Sequence, residues 1–183
     1  MPLAGAATTV ARARAGDLDA FEELMRANER QVLGVAFRML GRIEDAQDVA
    51  QEAFLRLYRN LKRVEDEVEV RRWLYRVTVN LCLDARRRRR PSVELTETNL
   101  AAGSADPELR YLHVERAEAV ARGLETLAGR ERAALVLREV EGLSTREVAE
   151  LMGASEVTVR AHICTARMKL KKFTDRYFRK KVL

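Results

Sequence analysis

Hydrophobic residues recur every three or four positions through most of the chain, which is the period of an amphipathic α-helix. The apolar side chains of Asp17–Leu40 fall on one side of a predicted helix, and Glu44–Leu61 and Val70–Arg90 repeat the pattern. No segment alternates with the period of two that indicates a half-buried strand. The pattern therefore predicts an all-α fold.

One segment interrupts the helical period. Pro91–Leu109 contains Pro91, Gly103 and Pro107, with four acids and no base. This composition is typical of an extended, flexible linker. Beyond it, Glu108–Leu127 and Arg130–Val140 are predicted to be helical again.

The two helical stretches predict two small domains, each with a core of its own, joined by a flexible linker. We expect the domains at residues 17–90 and 108–172, with the linker at 91–107. Residues 1–16 are expected to be a flexible N-terminus, and residues 173–183 a basic C-terminal tail.

Residues 143–172 have the pattern of a helix-turn-helix. Ser144 is placed to cap the first helix with Glu147 as its capping-box partner, Gly153 supplies the turn, and Ser155 caps the second helix. The second helix of such a motif enters the major groove of DNA. An ordinary helical hairpin shows the same apolar spacing, so the motif alone leaves both interpretations open.

Charge is distributed unevenly along the chain. The net charge is +6, and Ser155–Leu183 contains nine Lys or Arg and two acids. Glu44–Glu69 contains eight acids and four bases. The basic end suits phosphates, whereas the acidic stretch suits a basic protein partner.

The helix at Val70–Arg90 carries a second indication of nucleic-acid binding. Trp73, Arg76, Asn80 and Arg87 share one face, and Arg86–Arg90 is an unbroken run of arginine. An aromatic ring can stack on an unpaired base, Asn can read a base edge and Arg can hold the backbone. Alternatively, Trp73 is a core anchor and the arginine run is a solvated entrance to the linker.

Catalytic and metal chemistry are not indicated. Cys82 and Cys164 are too far apart in sequence for a zinc set, and His113 and His162 do not complete one. No nucleophile with a neighbouring base, phosphate-cradling glycine loop or signal peptide is evident, and no apolar run is long enough to span a membrane. We expect a cytoplasmic, non-enzymatic protein without metal or cofactor and without membrane insertion.

Three motifs in order resemble the extracytoplasmic-function (ECF) sigma factors of bacterial RNA polymerase, a group of the sigma-70 family. They are Asp45–Phe54, with the sequence DAQDVAQEAF, then Arg72–Asn80, with RWLYRVTVN, and the helix-turn-helix within Leu127–Lys172. The resemblance extends from about Asp17 to Lys172. It implies promoter recognition and melting together with core RNA polymerase.

The resemblance also assigns roles to residues of the first half. Asp48, Gln51 and Glu52 match the helix that docks on the β′ clamp helices of the polymerase. The loop Lys62–Glu69 and the helix after it match the elements that capture a flipped base of the promoter −10 element. Seven residues of these elements are the expected −10 contacts. They are Lys62, Arg63, Trp73, Arg76, Asn80, Arg86 and Arg87.

In the second half, the resemblance assigns −35 recognition to the second helix of the helix-turn-helix. The expected −35 contacts are Arg160, Ala161, Cys164, Thr165, Arg167 and Lys171. Ala161, His162, Cys164 and Thr165 depart from the Arg-rich family pattern, which puts the promoter preference in doubt. Further implied partners are the polymerase β flap, promoter DNA and an anti-sigma factor.

A conventional helix-turn-helix regulator is the alternative function. It would bind duplex DNA without polymerase, and it would not need the acidic helix or the Trp73 and Asn80 face.

Overall fold

The computed structural model describes residues 8–88 and 119–179, and every regular element in these two ranges is helical. The predicted all-α fold is therefore confirmed. The predicted linker at residues 91–107 and most of the predicted helix Glu108–Leu127 lie outside the described residues.

Four helices and one short 3-10 turn form the first half. They are α1 (Thr9–Arg14), α2 (Leu18–Leu40), α3 (Ile43–Asn60), the 3-10 turn Leu61–Arg63 and α4 (Glu67–Arg88). Asp17 caps α2, because its side chain accepts a hydrogen bond of 3.0 Å from the amide of Ala20. The buried faces of these helices share a core that includes Val10, Leu24, Leu57 and Leu74.

Helix α1 corrects our prediction of a flexible segment over residues 1–16. Val10 is fully buried, Ala13 is buried beside it, and the Thr8 hydroxyl accepts a hydrogen bond from the amide of Ala11. Arg12 also forms an ion pair of 2.7 Å with Asp17. A six-residue helix is too short to produce a recurring apolar period, so its sequence gave no helical signal. Residues 1–7 lie outside the described residues.

The second half begins with helical residues 119–125. It continues with α5 (Gly129–Leu135), a π-helical turn (Val136–Val140), α6 (Thr145–Met152) and α7 (Glu156–Arg179). Helix α7 continues without a break through residue 173, so the described part of the basic C-terminal tail, residues 173–179, extends this helix. Leu170 and Phe173 lie close against Gly123, so the end of α7 packs on residues 119–125.

The two halves share hydrophobic contacts, which differs from the separate cores that the sequence predicts. One cluster of buried residues contains Met39, Val79 and Cys82 of the first half together with Leu127 and Val136 of the second. The two helical domains are therefore packed against each other in this structure. We call the contact between them the interdomain seam.

Two arginines of the seam bind the end of α2. This helix ends at Leu40, followed by Gly41 in the left-handed conformation with φ of +81°. The last carbonyls of a helix lack partners within the helix. Nε of Arg132 donates to the Arg38 carbonyl, and Nη1 of Arg86 donates to the Met39 carbonyl over 3.0 Å. The negative end of the α2 dipole thus faces two cations.

Arg132 is the most deeply buried charged residue of the seam. Only 1% of its surface is exposed, and this burial lowers the pKa of its guanidinium to about 10. The neighbouring cation of Arg86 lowers that pKa further. Burial and like-charge repulsion both oppose keeping these groups in the seam, so the seam is less stable than an apolar contact of similar area.

Candidate protein and nucleic-acid interfaces

An open groove lies between α2 and α3. Its volume is about 560 Å³, and its floor and walls include Phe21, Met25, Phe54, Leu55 and Tyr58. Leu55 and Tyr58 are 46% and 54% exposed, which is high for side chains of this size. A contiguous apolar groove bordered by polar groups is typical of a surface that binds another macromolecule.

One of the three predicted polymerase-binding residues lines this groove. Gln51 lines it directly, and Asp48 is exposed on the same helix. Glu52 is half-buried and accepts a hydrogen bond of 2.7 Å from Nε of Arg56 one turn later. The structure therefore places Gln51 in the groove lining and the Asp48 and Glu52 carboxylates on the same helix outside that lining.

The predicted loop Lys62–Glu69 is shorter than expected. Helix α4 begins at Glu67 rather than at Val70, because the Asp66 side chain accepts a hydrogen bond of 2.8 Å from the amide of Glu69. Lys62 and Arg63 are exposed in the 3-10 turn, and the adjacent Leu61 and Val64 are buried. The two cations are thus held on an anchored turn.

The Trp73 face of α4 is only partly covered. Trp73 is half-buried and packs against the core of the first half, whereas Arg76 and Asn80 are exposed. Trp73 is therefore partly a core residue, and the accessible part of its side chain leaves base stacking as a prediction. The structure brings an aromatic edge, a cation and an amide to one helix face.

The run Arg86–Arg90 is not a uniform cationic surface, and the −10 contact expected of Arg86 stays a prediction. Arg86 is half-buried and donates to the carbonyls of Met39 and Leu127, the latter over 3.1 Å. Its guanidinium is therefore engaged within the seam in this structure. Arg87 is exposed and pairs with Asp84. Arg89 and Arg90 lie outside the described residues.

The helix-turn-helix has the predicted caps and turn. The amide of Glu147 donates to Oγ of Ser144 over 3.2 Å, and Oε2 of Glu147 accepts from the Ser144 amide over 2.9 Å. The hydrogen bond from that amide lowers the pKa of the Glu147 carboxyl below its ordinary value. Gly153 has φ of +57°, and Oγ of Ser155 accepts from the amide of Thr158 over 3.1 Å.

The predicted −35 residues lie on the side of α7 away from the core. Val159, Ile163 and Ala166 form its buried side. Five of the six predicted residues are exposed and Thr165 is half-buried; the exposed ones are Arg160, Ala161, Cys164, Arg167 and Lys171. Arg160 pairs with Glu156 over 2.7 Å, and Arg167 pairs with Glu139 over 2.7 Å.

Comparison with known protein families decides the identity of the two halves. The model of Sigma-70 region 2 matches residues 24–91, and the model of Sigma-70 region 4 matches residues 117–170. The ECF RNA polymerase sigma-E factor of Escherichia coli K12 is 35% identical over 169 residues, covering 86% of this chain and 88% of that protein. The chain belongs to the ECF sigma factors.

Other relatives agree with this assignment. The RNA polymerase sigma-H factor of Pseudomonas aeruginosa is 35% identical over 169 residues, covering 86% of this chain and 88% of its own. The solved structure of CnrH in complex with the cytosolic domain of CnrY superposes with a TM-score of 0.68 at 26% identity. That match covers 91% of this chain and 95% of CnrH. The predicted family is confirmed, and the chain is a transcription initiation factor.

In this sigma factor, region 4 covers part of the region 2 surface that we expect to bind the −10 element. Nη2 of Arg76 donates to the Glu150 carbonyl of α6 over 3.3 Å, and Arg72 pairs with Glu147 over 3.4 Å. Tyr75 Oη donates to Oε2 of Glu141 over 2.9 Å. Sequence reasoning missed Glu141 and Arg72, because nothing near either residue in the chain indicates its partner.

Two further properties hold for the part of the sigma factor that the structure describes. No helix there is long and apolar enough to cross a membrane. Within the same residues, no group of three or more His, Cys, Asp or Glu side chains is placed to hold a metal ion.

Proposed function

We propose that this sigma factor binds core RNA polymerase through the groove between α2 and α3. The β′ clamp helices are the expected occupant, because an exposed apolar groove suits a helical partner and the adjacent carboxylates suit basic side chains. Leu55 and Tyr58 supply the apolar contact, while Asp48, Gln51 and Glu52 orient the partner. The main support is that Gln51 lines an otherwise unexplained apolar groove, with Asp48 and Glu52 on the same helix.

Region 2 is proposed to capture an unpaired base of the −10 element on the exposed face of α4. The accessible part of the Trp73 ring offers a surface for stacking, and the Asn80 amide can donate to and accept from a base edge. Lys62 and Arg63, on their anchored turn, are suited to the phosphates on either side. Arg76 joins them once its bond to the Glu150 carbonyl is released.

Region 4 is proposed to read the −35 element with α7, and to contact the polymerase β flap when assembled. The caps at Ser144 and Ser155 fix the two helices of the motif, which positions the start of α7 for the major groove. Arg160, Arg167 and Lys171 project from the exposed side and are suited to phosphate or guanine.

Promoter binding requires the interdomain seam to open. The −35 and −10 elements are numbered about 25 positions apart, which corresponds to about 85 Å of duplex at 3.4 Å per base pair. A packed chain of this length has a radius of gyration of only about 16 Å. Regions 2 and 4 therefore cannot reach both elements while Arg76 and Tyr75 remain bonded to region 4.

The packed arrangement also indicates how the factor is kept inactive. CnrH, which has a similar fold, was solved in complex with the cytosolic domain of CnrY. An anti-sigma factor that stabilises the seam or covers the groove would prevent assembly with polymerase. We propose that the chain acts in the cytoplasm with polymerase, as a non-enzymatic initiation factor subject to such a partner.

Promoter-dependent transcription with purified bacterial core polymerase tests this function. We expect the factor to direct run-off transcripts from promoters selected by the reconstituted holoenzyme, and none from core polymerase alone. A chain that binds duplex DNA tightly without polymerase, and that supports no transcript with it, would instead be a conventional helix-turn-helix regulator.

A further inference from the structure

The exposed side of α7 carries a line of apolar side chains. Val157 is 71% exposed and Met168 is 62% exposed, and Ala161 and Cys164 between them are also exposed. The four positions lie within about 60° of one another around the helix axis, at about 100° per residue. We call this surface the α7 apolar stripe.

The α7 apolar stripe does not belong to the core. It points away from Val159, Ile163 and Ala166, which form the buried side of the same helix. Isolated exposed apolar residues are ordinary, but a continuous line on one helix face is characteristic of a binding surface. The stripe therefore needs a partner that presents apolar groups.

Cations border the stripe. Arg160, Arg167 and Lys171 project beside it, and Lys172 is exposed on its other side. The positive charge beside the stripe favours an anionic partner, and the stripe itself favours apolar groups on that partner. Duplex DNA combines the two, because its major groove displays the thymine C5-methyl between two rows of phosphates.

We propose that Val157, Ala161 and Cys164 read thymine methyl groups in the −35 element, so that promoter preference depends on those methyls. This inference rests on the proposed role of α7 in −35 recognition. Val157 lies in the first turn of α7, the part of a recognition helix that contacts base edges. Ala161 is small enough to let the helix approach the bases, and Cys164 continues the apolar contact one turn later.

The contact chemistry favours methyl reading over hydrogen-bond reading at these positions. Valine and alanine side chains neither donate nor accept hydrogen bonds, and a thiol does so only weakly. Thymine is the only standard base that presents an apolar group in the major groove. Replacing thymine by uracil removes that methyl and leaves the hydrogen-bonding edge unchanged, which gives a direct chemical test.

The test uses the reconstituted holoenzyme and two duplex libraries with randomised −35 and −10 segments. The libraries are identical except that one carries deoxyuridine in place of thymidine throughout the −35 segment. After one round of selection, sequencing gives the base enrichment at every position. We expect thymine enrichment at one or more −35 positions in the first library, and a loss of about threefold to fivefold per contacted methyl in the second.

Protein variants identify the residues responsible. V157S and C164S should each reduce thymine enrichment at a particular −35 position, and should make the thymidine and deoxyuridine libraries equivalent there. V120S is the matched control, because Val120 is 61% exposed outside α7 and loses the same apolar surface. The change at Val157 affects an exposed first-turn position, so the melting temperature of V157S should match that of V120S.

Three results would contradict the inference at different levels. Equal thymine enrichment in both libraries would show that the −35 element is read without its methyls. Thymine enrichment could be lost in the deoxyuridine library and yet be unaltered in V157S and C164S. That result would show that other residues read the methyl groups. If the holoenzyme enriches no sequence from either library, the proposed promoter function itself fails, and the inference fails with it.

Discussion

The phenolic oxygen of Tyr75 in region 2 donates a hydrogen bond to Oε2 of Glu141 in region 4 over 2.9 Å. Glu141 has a side chain that is only 9% exposed, and Nη1 of Arg38 lies 3.6 Å from its other oxygen. Gln31 donates to both Tyr75 and Glu141. Burial and the adjacent Glu141 carboxylate raise the pKa of Tyr75, so its hydroxyl remains a donor throughout the physiological range. A single buried carboxylate thus connects three residues of region 2 to region 4.

We predict that Tyr75→Phe weakens the seam. The substitution retains the ring but leaves a nearly buried carboxylate without one donor. Hydrogen bonds to charged groups contribute about 1.5–3 kcal/mol, and we expect a loss of stability of that order in urea unfolding. Tyr58→Phe is the control, because Tyr58 is 54% exposed and its ring contact with Phe21 is retained. Equal stability of the two variants would contradict a supporting role for the Tyr75–Glu141 bond.

The groove between α2 and α3 gives a prediction about assembly. Reversing charge with Asp48→Lys and Glu52→Lys should reduce affinity for core polymerase, because complementary charge contributes to association rate and specificity. Helicity should not change, since neither side chain belongs to the buried face of α3. A fluorescence titration against core polymerase measures the effect. Asp175→Lys makes the same type of charge change on exposed α7 and should leave affinity unaltered. An unchanged titration for the double variant would rule out these carboxylates as contacts.

Promoter melting provides a separate prediction. Asn80→Ala should reduce open-complex formation by the holoenzyme, detected by permanganate footprinting. The melting temperature of the protein should not change, because Asn80 is exposed. Trp73→Ala should impair opening as well, but it should also destabilise the fold, because part of the ring packs on the core. Replacing a completely buried tryptophan with alanine costs about 3–5 kcal/mol of stability, and we expect a smaller loss at the half-buried Trp73. Normal opening by Asn80→Ala would argue against base capture at this position.

The helix-turn-helix could be predicted from the sequence because its signals are local. Ser144, Glu147 and Gly153 lie within ten positions, and each has a propensity that follows from its own chemistry. The interdomain seam has no such signal. Tyr75 and Glu141 are 66 positions apart, and Arg86 reaches a carbonyl 47 positions away. Every residue has a backbone carbonyl, so the sequence does not indicate which carbonyl accepts a hydrogen bond. The role of Arg86 could therefore not be predicted from its place in an arginine run.

The site residues were predictable to different degrees for the same reason. Asp48, Gln51 and Glu52 were assigned through the family resemblance, and helical periodicity already placed them off the apolar face. The groove beside them depends on the gap between α2 and α3, which no pattern within either helix specifies. Val157 was missed because a single apolar residue at a helix start gives no period of its own.

The two cysteines should differ sharply in reactivity. Burial raises the pKa of Cys82 to about 12, and a thiol with so high a pKa stays protonated and unreactive near neutral pH. Cys164 is exposed on α7. We expect a disulfide reagent at pH 8 to modify one thiol in the native protein and two after denaturation, with C164S showing none in the native state. Rapid modification of two thiols in the native protein would show that Cys82 is accessible.

The final prediction concerns the arginines of α7. Arg160 and Arg167 are exposed, and each is paired with a carboxylate over 2.7 Å. Surface ion pairs of this kind are worth at most about 1 kcal/mol, so DNA phosphates or a guanine can displace Glu156 and Glu139. Alanine at either arginine should therefore weaken holoenzyme binding to promoter DNA.

The way in which each alanine variant loses affinity for promoter DNA shows whether the arginine contacts a guanine or a phosphate. A bidentate contact to guanine is worth about 1–3 kcal/mol, and its removal should relax preference at one base pair. Loss of a phosphate contact should weaken all sequences alike and reduce the slope of log K against log salt by about one. Selection on a randomised −35 library at several salt concentrations separates the two. Arg14→Ala is the control, because Arg14 is exposed on α1, outside both the α2–α3 groove and α7. Unchanged strength and preference in both α7 variants would mean that this helix face does not meet DNA.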